Sequence, residues 1–229
     1  MIPKIIHCCW FGGGKKPKLI RRCMVSWQKY ASDFDVQIWD ESNSDLRSVP
    51  FVRDAYKAKN YAFVSDYIRA KALFERGGVY LDTDVELLRP LDDFLSLSAF
   101  AGFERADYVG TAVMGFSPAS PIMRRYLEHY EQASYWNEDG TRYSGTNVVF
   151  LTSLLESKGL RRDGTRQDIY DMTIFPQEYF SPYDLPAGKA YLTKNSAAIH
   201  HYNGSWLTLP SRVLLRLRNA RLEKARAVS

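Results

Sequence analysis

The sequence predicts an α/β fold built around a mainly parallel sheet. Short apolar runs of strand length alternate with longer stretches of helical pattern, and clusters of Gly and Pro separate them. Such alternation is typical of strands joined by crossover helices. A length of 229 residues, 45% of them hydrophobic, is enough for one domain with a sizeable core. We expect a single domain over residues 1–210 and a separate tail over residues 211–229.

The first half of the chain is predicted to supply three strands and three helices. The first strand is apolar and stops at Gly12-Gly13-Gly14, and Pro17 suits the first turn of the helix that follows. Gly77 and Gly78 suit the end of the longest helix. The predicted strands are residues 4–11, 36–39 and 79–83, and the predicted helices are residues 17–30, 50–59 and 61–76.

The second half is predicted to add two strands, two helices and a prolyl-rich loop region before the tail. Pro118 ends the second of these strands, and a loop-rich stretch follows the second helix. The predicted strands are residues 100–103 and 109–116, the helices are residues 121–132 and 146–157, and the last segments are residues 197–206 and a helix over 211–225.

The positive charge of the chain is confined to its tail. The whole sequence has 31 Lys+Arg against 26 Asp+Glu, a formal net charge of +5. Residues 211–229 contain six bases and one acid, so the first 210 residues are neutral as a whole. A nucleic-acid-binding domain would be basic over its working face, and we therefore expect no nucleic acid partner. The tail is a short basic amphipathic helix, suited either to an anionic membrane surface or to docking on the body as a solvated helix.

Three cysteines, Cys8, Cys9 and Cys23, lack the spacing of a metal site or a disulfide framework. Adjacent residues of a strand face opposite sides, so Cys8 and Cys9 cannot act together. We expect buried thiols in a reducing compartment.

Asp82 and Asp84 are the first candidates for chemistry. Residues two apart on a strand project to the same side, so these two carboxylates converge at the end of the strand over 79–83. Open α/β sheets bind ligands at the carboxyl ends of their strands. Paired oxygens there suit Mg²⁺ or Mn²⁺, although a pair of solvated loop acids is about as well supported by this spacing alone.

Asp66 and Arg69 are the second candidates, because they lie three residues apart on an otherwise apolar helix. Charged groups in such surroundings need partners. They form either an ordinary intrahelical ion pair or a ligand-binding pair, in which Arg69 meets phosphate or sugar oxygens and Asp66 accepts hydrogen bonds from hydroxyls.

Two aromatic and two histidine positions complete the candidates. Either His200 or His201 could join the carboxylates in a mixed N/O site that favours Mn²⁺, but extended neighbours face opposite ways, so only one can. Trp10 and Trp206 are each either core residues or platforms, Trp10 for a nucleobase and Trp206 beside a sugar.

Three segments together resemble one enzyme family: IHCCWFGG, SDYIRAKALFERGGVYLDTDVELLRPL and HHYNGSW. The sequence is similar to glycosyltransferase family 32, which includes bacterial capsule and lipopolysaccharide sugar transferases and yeast initiating mannosyltransferases. The clostridial glucosylating toxins are more distant relatives. The resemblance is densest over residues 1–95 and returns at 197–206. It implies a GT-A fold, with a Rossmann-like sheet, and retaining transfer from a nucleoside-diphosphate sugar with Mn²⁺ or Mg²⁺.

The resemblance also implies a role for each candidate residue. Trp10 stacks on the nucleobase, Asp66 and Arg69 contact the donor sugar, and Tyr80 belongs to the substrate-binding motif. Asn147, at the start of a predicted helix, is expected to face the sugar. Asp82 contacts the ribose or the metal, and Asp84 holds the metal. His201 takes the place of the metal-ligating histidine in the H-x-x-G-x-x-K-P-W segment of the related family 8, with His200 as its competitor. Trp206 closes over the donor site.

The resemblance further implies the partners and the place of work. The donor is a UDP-hexose in preference to GDP-mannose, and the acceptor is a saccharide or lipid-linked saccharide of cell-surface polysaccharide. We expect a cytoplasmic location, at the inner face of the cytoplasmic membrane if the basic tail over residues 211–229 binds the membrane instead of docking on the body. The alternatives are a nucleotide-sugar hydrolase and a non-catalytic protein that binds carbohydrate or nucleotide sugar.

Overall fold

The computed structural model describes residues 1–105, 107–184 and 189–203. Its centre is a seven-stranded sheet in the order β2-β1-β3-β6-β5-β8-β7. Two further pairs, β4 with β11 and β9 with β10, are antiparallel. The strands are β1 (Ile5–Cys9), β2 (Asp35–Trp39), β3 (Gly78–Leu81), β4 (Val85–Leu87), β5 (Ala99–Arg105), β6 (Tyr108–Phe116), β7 (Gln167–Ile169), β8 (Met172–Phe175), β9 (Tyr183–Asp184), β10 (Lys189–Ala190) and β11 (Ala198–His200).

Five strands of the central sheet run in one direction, and β6 and β7 run against them. The sheet is therefore mixed but mostly parallel in strand direction, and the predicted α/β class is confirmed. Because β1, β3 and β5 share a direction, the residues that follow them meet at one edge of the sheet. Trp10 follows β1, Asp82 follows β3, and Glu104 lies at the end of β5. This edge carries the candidate site.

Helices cover both faces of the sheet, and the strand alternation explains how. Val79 and Leu81 pack with Trp27 of the first helix, whereas Tyr80 between them packs on the other face with the remaining helices. The same alternation sends Cys8 and Cys9 to opposite faces, and all three cysteines are free and buried. The helices are α1 (Lys18–Tyr30), α2 (Pro50–Lys57), α3 (Tyr61–Arg76), α4 (Pro121–Gln132) and α5 (Asn147–Glu156).

The strand predicted over residues 79–83 ends earlier in the structure, at Leu81. The chain turns at Asp82, whose backbone N–H bonds to the Ala112 carbonyl at 2.8 Å. It then enters β4, which leaves the central sheet and pairs with β11. Strands β7 and β8 were likewise not predicted, because they are only three and four residues long and lie in a stretch that resembles loop.

Two predicted features lie outside the described residues: Trp206, and the basic tail over 211–229 with its proposed membrane contact. Among the residues described, no helix combines the length and the apolar composition that crossing a bilayer needs.

Gly77 ends α3 with a φ of +63°, and a Cβ there would lie 2.6 Å from Pro118 Cδ and 2.8 Å from Pro118 N. We expect Gly77→Ala to lower the free energy of unfolding by about 3 kcal/mol, since it adds a backbone clash to the unfavourable φ. Gly13, with a φ of +64° and no atom within 4 Å of its Cβ position, is the matched control. Gly13→Ala should cost only about 1 kcal/mol. Urea unfolding measures both, and equal losses would contradict the clash.

Candidate active site

Asp82, Asp84 and His200 form a three-residue cluster at the carboxyl edge of the sheet. The two aspartates belong to the turn between β3 and β4, and the Val85 N–H closes that turn on the Asp82 carbonyl at 2.9 Å. His200 arrives on β11, where it pairs with Val85. One ligand atom from each of the three side chains lies within 4.8 Å of the other two. Side-chain oxygens and one imidazole nitrogen at this spacing fit a divalent cation such as Mn²⁺ or Mg²⁺.

The polar surroundings of the cluster favour a charged Asp84. Burial alone would raise the pKa of Asp84, but His200, at 3.5 Å from Oδ1, and the Asn203 backbone N–H, at 2.7 Å from Oδ2, lower it to about 2. Burial lowers the pKa of His200, and Asp84 outweighs this effect and raises it. His200 Nδ1 is buried and has no hydrogen-bond partner among the described residues. The nitrogen on the side of the Asp84 carboxylate is Nε2, and an imidazole nitrogen there could complete a cation site with the two aspartates.

The histidine that stands with the two carboxylates is His200, which corrects the assignment to His201. His201 Nε2 lies 2.8 Å from Glu86 Oε2 and 3.4 Å from Arg22 Nη2, on the side toward α1. The physical reason is the alternation of an extended chain: β11 directs His200 toward Asp84, so its neighbour faces away. The sequence spacing to Gly204 could not distinguish these two directions.

Arg69 of α3 is the centre of a buried polar network. Its Nη2 lies 3.1 Å from Asp66 Oδ1 and 3.2 Å from Asp82 Oδ1. Its Nη1 donates to the Thr111 carbonyl at 3.0 Å and to Thr111 Oγ1 at 3.2 Å, and its guanidinium stacks 4.4 Å from the centre of the Tyr80 ring. Arg69 is only 4% exposed. The intrahelical ion pair with Asp66 is present, but the guanidinium also joins α3 to the Asp82 turn and to β6.

Asp66 is 5% exposed and is held from three sides. Besides Arg69, the Asn147 side-chain amide donates to Asp66 Oδ1 at 2.6 Å, and the Tyr130 hydroxyl lies 3.4 Å from Oδ2. Burial raises the pKa of Asp66 to about 6, and Arg69 and Asn147 limit that rise. Asn147 begins α5 after the Thr146 side chain, which caps the helix through the Val149 N–H. Arg69 and Asn147 thus both contact Asp66, which links the three residues that the sequence assigned to the sugar.

Tyr80 lies below the site instead of lining it. Its ring is 1% exposed, and its hydroxyl donates to Asp82 Oδ1 at 3.0 Å. The expectation of a direct substrate contact is therefore corrected: Tyr80 orients Asp82 from the core. The motif predicts where Tyr80 lies along the strand but not how deeply its side chain is buried, because a residue near the end of a strand can face the core or the ligand site.

Trp10 lies at the same edge and is only partly buried, so it is not a core residue. Its backbone N–H bonds to the Trp39 carbonyl at 2.8 Å, and its indole N–H donates to the Gly14 carbonyl at 2.8 Å. Lys16 Nζ lies 5.4 Å from the centre of the indole ring. The glycine loop thus folds around the indole and fixes its orientation.

Several residues of the site were missed by the sequence reasoning. Glu104 is linked to the cluster through Tyr202, whose hydroxyl lies 3.4 Å from the Glu104 carbonyl oxygen and whose ring centre lies 4.0 Å from that of His200. Burial raises the pKa of Glu104. Its position at the end of a strand parallel to β3 was the signal that could have found it. Thr111, Tyr130 and Asn203 carry no such signal, because each reaches the site through tertiary packing.

Arg69→Met should leave the buried Asp66 carboxylate without its main cation. We expect a loss of about 3–5 kcal/mol in the free energy of unfolding at pH 7. Without Arg69 the pKa of Asp66 rises above its present value of about 6, so the carboxyl is protonated at pH 5. The charge that costs free energy to bury is then absent, and the loss relative to wild type should shrink at pH 5. Urea unfolding at both pH values tests this, with Arg69→Lys as the control that keeps the charge. The same loss at pH 7 and pH 5 would contradict the expectation.

Comparison with known proteins gives matches to glycosyltransferases. Residues 17–101 match the family described as "Glycosyltransferase sugar-binding region containing DXD motif". An uncharacterized glycosyltransferase of Acanthamoeba polyphaga mimivirus is 29% identical over 185 residues, which cover 70% of this chain and 73% of that protein. Inositol phosphoceramide mannosyltransferase 3 of Schizosaccharomyces pombe is 28% identical over 142 residues, 58% of this chain and 38% of that protein.

Among solved structures, a glycosyltransferase involved in glycosylation of the major capsid of PBCV-1 aligns with 91% of this chain and 97% of its own, at 11% identity and a TM-score of 0.45. The PaToxG glycosyltransferase aligns with 56% of this chain and 59% of its own, at 17% identity and a TM-score of 0.45.

The family match covers the helix and the turn that carry four of the candidate residues. It begins at the start of α1 and includes the buried pair Asp66 and Arg69 and the turn with Asp82 and Asp84. Both of these relatives carry glycosyltransferase names. The matched part of the chain, residues 17–101, is therefore a sugar-binding region of the DXD type that glycosyltransferases contain.

Proposed function

We propose that this glycosyltransferase is metal-dependent and moves a hexose from a nucleoside-diphosphate sugar to a saccharide acceptor. The observation that carries the proposal is the cluster of Asp82, Asp84 and His200, which offers two carboxylates and an imidazole at the edge where α/β sheets bind ligands. The donor is anionic, and the body of the chain is neutral overall, so the diphosphate needs a local positive charge. A cation held by these three side chains provides it.

Asp82, Asp84 and His200 would hold Mn²⁺ or Mg²⁺ through carboxylate oxygens and one imidazole nitrogen. When bound, such a cation acts as a Lewis acid that offsets the charge of the departing diphosphate, worth several kcal/mol. Arg69 and the Tyr80 hydroxyl both contact Asp82 Oδ1, which leaves the other oxygen of that carboxylate for the ligand. The core thus orients Asp82 before any substrate arrives.

The remaining residues divide between the two ends of the donor. Trp10, partly exposed and fixed by its bond to Gly14, is proposed to stack on the nucleobase. At the sugar end, Asp66 is nearly fully buried and Asn147 is only partly buried. We assign the direct sugar contact to Asn147 and give Asp66 the role of holding its amide in place, at 2.6 Å.

The donor, the stereochemistry of transfer and the acceptor are proposed from the family resemblance. It favours a UDP-hexose donor, retention of configuration and an acceptor of cell-surface polysaccharide. The Schizosaccharomyces pombe relative is named a mannosyltransferase, which supports a GDP-mannose donor as the competing choice. Residues 211–229 are proposed to hold the enzyme at the inner face of the cytoplasmic membrane.

A donor panel tests the proposal directly. The full chain is incubated with UDP-glucose, UDP-galactose, UDP-N-acetylglucosamine or GDP-mannose, with Mn²⁺ or with EDTA, and released nucleotide is measured with and without saccharide acceptors. We expect release from one donor that needs the metal and rises with an acceptor. Release that no acceptor increases would favour a hydrolase, and no release from any donor would contradict the transferase.

Two neighbouring histidines provide a matched pair of variants. His200→Gln should lower kcat/KM by about 100-fold or more, since it removes a metal ligand. His201→Gln should change kcat/KM by less than about threefold, because His201 contacts exposed Arg22 and the partly buried Glu86. Mn²⁺ binding, followed by the electron paramagnetic resonance of the free ion, should weaken in His200→Gln and in Asp84→Asn but not in His201→Gln. A larger effect from His201 would return the ligand role to that residue.

A further inference from the structure

A second cleft lies away from the carboxylate cluster, between the end of α2 and the loop before α5. It has a volume of about 440 Å³, and its walls are Asp54, Lys57, Ala58, Trp136 and Arg142. None of these residues belongs to the site described above. Its volume lies within the range of small-ligand sites, about 300–1,000 Å³, and its lining combines an aromatic side chain with polar groups that could orient a ligand.

The loop side of this cleft is a short antiparallel ribbon with internal support. Trp136 and Arg142 pair across it. The Asn137 N–H bonds to the Thr141 carbonyl at 2.8 Å, and the Asn137 side chain donates to Thr141 Oγ1 at 2.8 Å. The side chains that line the cleft therefore stand on an ordered support.

Trp136 is 45% exposed, which is unusual for so large an apolar side chain. The buried Tyr135 ring meets it edge-on at 5.0 Å. Tyr135 in turn packs against Phe51 and Phe63 of the core. An indole held in this way presents a flat apolar face with a polar edge, which suits the apolar face of a pyranose ring.

The charges in the cleft favour an anionic ligand. Asp54 is already engaged by Arg53, whose Nε and Nη2 lie 2.9 and 3.2 Å from its two oxygens. Lys57 contacts Asp54 only at 4.0 Å and is 72% exposed. The Arg142 side chain is exposed and makes no hydrogen bond or ion pair with the residues that the structure describes. Because Arg53 already pairs with Asp54, the positive charges of Lys57 and Arg142 are left to attract an anionic ligand.

The cleft is within reach of the donor site. Asn147 is five positions beyond Arg142 along the chain, and a stretch of that length spans at most about 18 Å when fully extended. Asn147 bonds to Asp66 at 2.6 Å. On the other wall, the side chain of Asn60, which directly precedes α3, donates to the Tyr135 hydroxyl at 3.3 Å. A saccharide of a few units that occupies the cleft could extend to the site.

We propose that this cleft is an acceptor subsite that binds an anionic saccharide, with a pyranose stacked on Trp136 and its carboxylate or phosphate group between Lys57 and Arg142. The role of the cleft as an acceptor subsite rests on the proposed transferase function. Binding of a saccharide in the cleft does not depend on that function.

Indole signals of the ¹⁵N-labelled full chain test this proposal. Trp136→Phe assigns the Trp136 signal by its loss, and the other indole signals report on the fold. Three tetrasaccharides are titrated: one with uronic acid carboxylates, one with a phosphate monoester and one neutral. We expect a saturable shift of the Trp136 signal with at least one anionic probe, and binding about tenfold or more weaker with the neutral one. The two anionic arms show which group is preferred.

Arg142→Gln should weaken binding of the anionic probe about tenfold. Arg125→Gln, on the exposed face of α4, should leave that binding unchanged. No shift with any probe, an equal response to all three, or equal effects of the two arginine variants would overturn the inference. Metal-dependent nucleotide release from the donor panel is measured on the same protein with and without saccharide acceptors. Release without a Trp136 response would reject this subsite alone, and a Trp136 response without release would reject the transferase but leave a saccharide-binding cleft.

Discussion

The site depends on one buried cation. A guanidinium that is taken out of water is costly unless its donors are engaged by partners of opposite charge or by acceptors. Arg69 has both: Asp66 on its own helix, Asp82 in the turn after β3, and the two Thr111 oxygens on β6. The Tyr80 ring covers its face. Because these partners come from three separate elements, the cation fixes how α3, the turn and β6 meet. Asp82 is therefore positioned by the core of the protein and not by loop chemistry.

The second half of the cluster has a different origin. Asp84 and His200 are brought together by β4 and β11, a pair of three-residue strands outside the central sheet. Such a short pair needs support. Helix α1 supplies it, since the Trp27 indole N–H donates to the Val85 carbonyl at 2.8 Å and Ser26 Oγ accepts the Leu87 N–H at 2.9 Å. The cluster is thus complete only when a segment about 115 residues beyond Asp84 has docked, as the His201 contact with Glu86 also requires.

The sequence predicts the parts of this site that depend on local periodicity. Strand alternation and the double glycine placed Asp82 at an edge, and helical spacing placed Asp66 and Arg69 on one face. It does not predict what depends on register between distant segments. The choice between His200 and His201 is decided by how β11 pairs with β4, and neither strand is long enough to show a period. The depth of Tyr80 follows from the helices that cover its face of the sheet, and no single-strand pattern contains that information.

The division between buried and exposed groups has a consequence for specificity. The residues around the donor end share hydrogen bonds, so a change at Arg69, Asp66 or Asp82 disturbs the others and the fold with them. The ribbon that carries Trp136 and Arg142 is exposed, and its contacts with the core run mainly through Tyr135. Surface loops on a rigid scaffold tolerate substitution. If the cleft beside the ribbon binds the acceptor, the choice of acceptor can change without loss of the proposed donor site, because among the described residues no direct hydrogen bond joins Trp136 or Arg142 to Arg69, Asp66 or Asp82. In that case the buried network would govern transfer, and the exposed ribbon would select the receiving sugar.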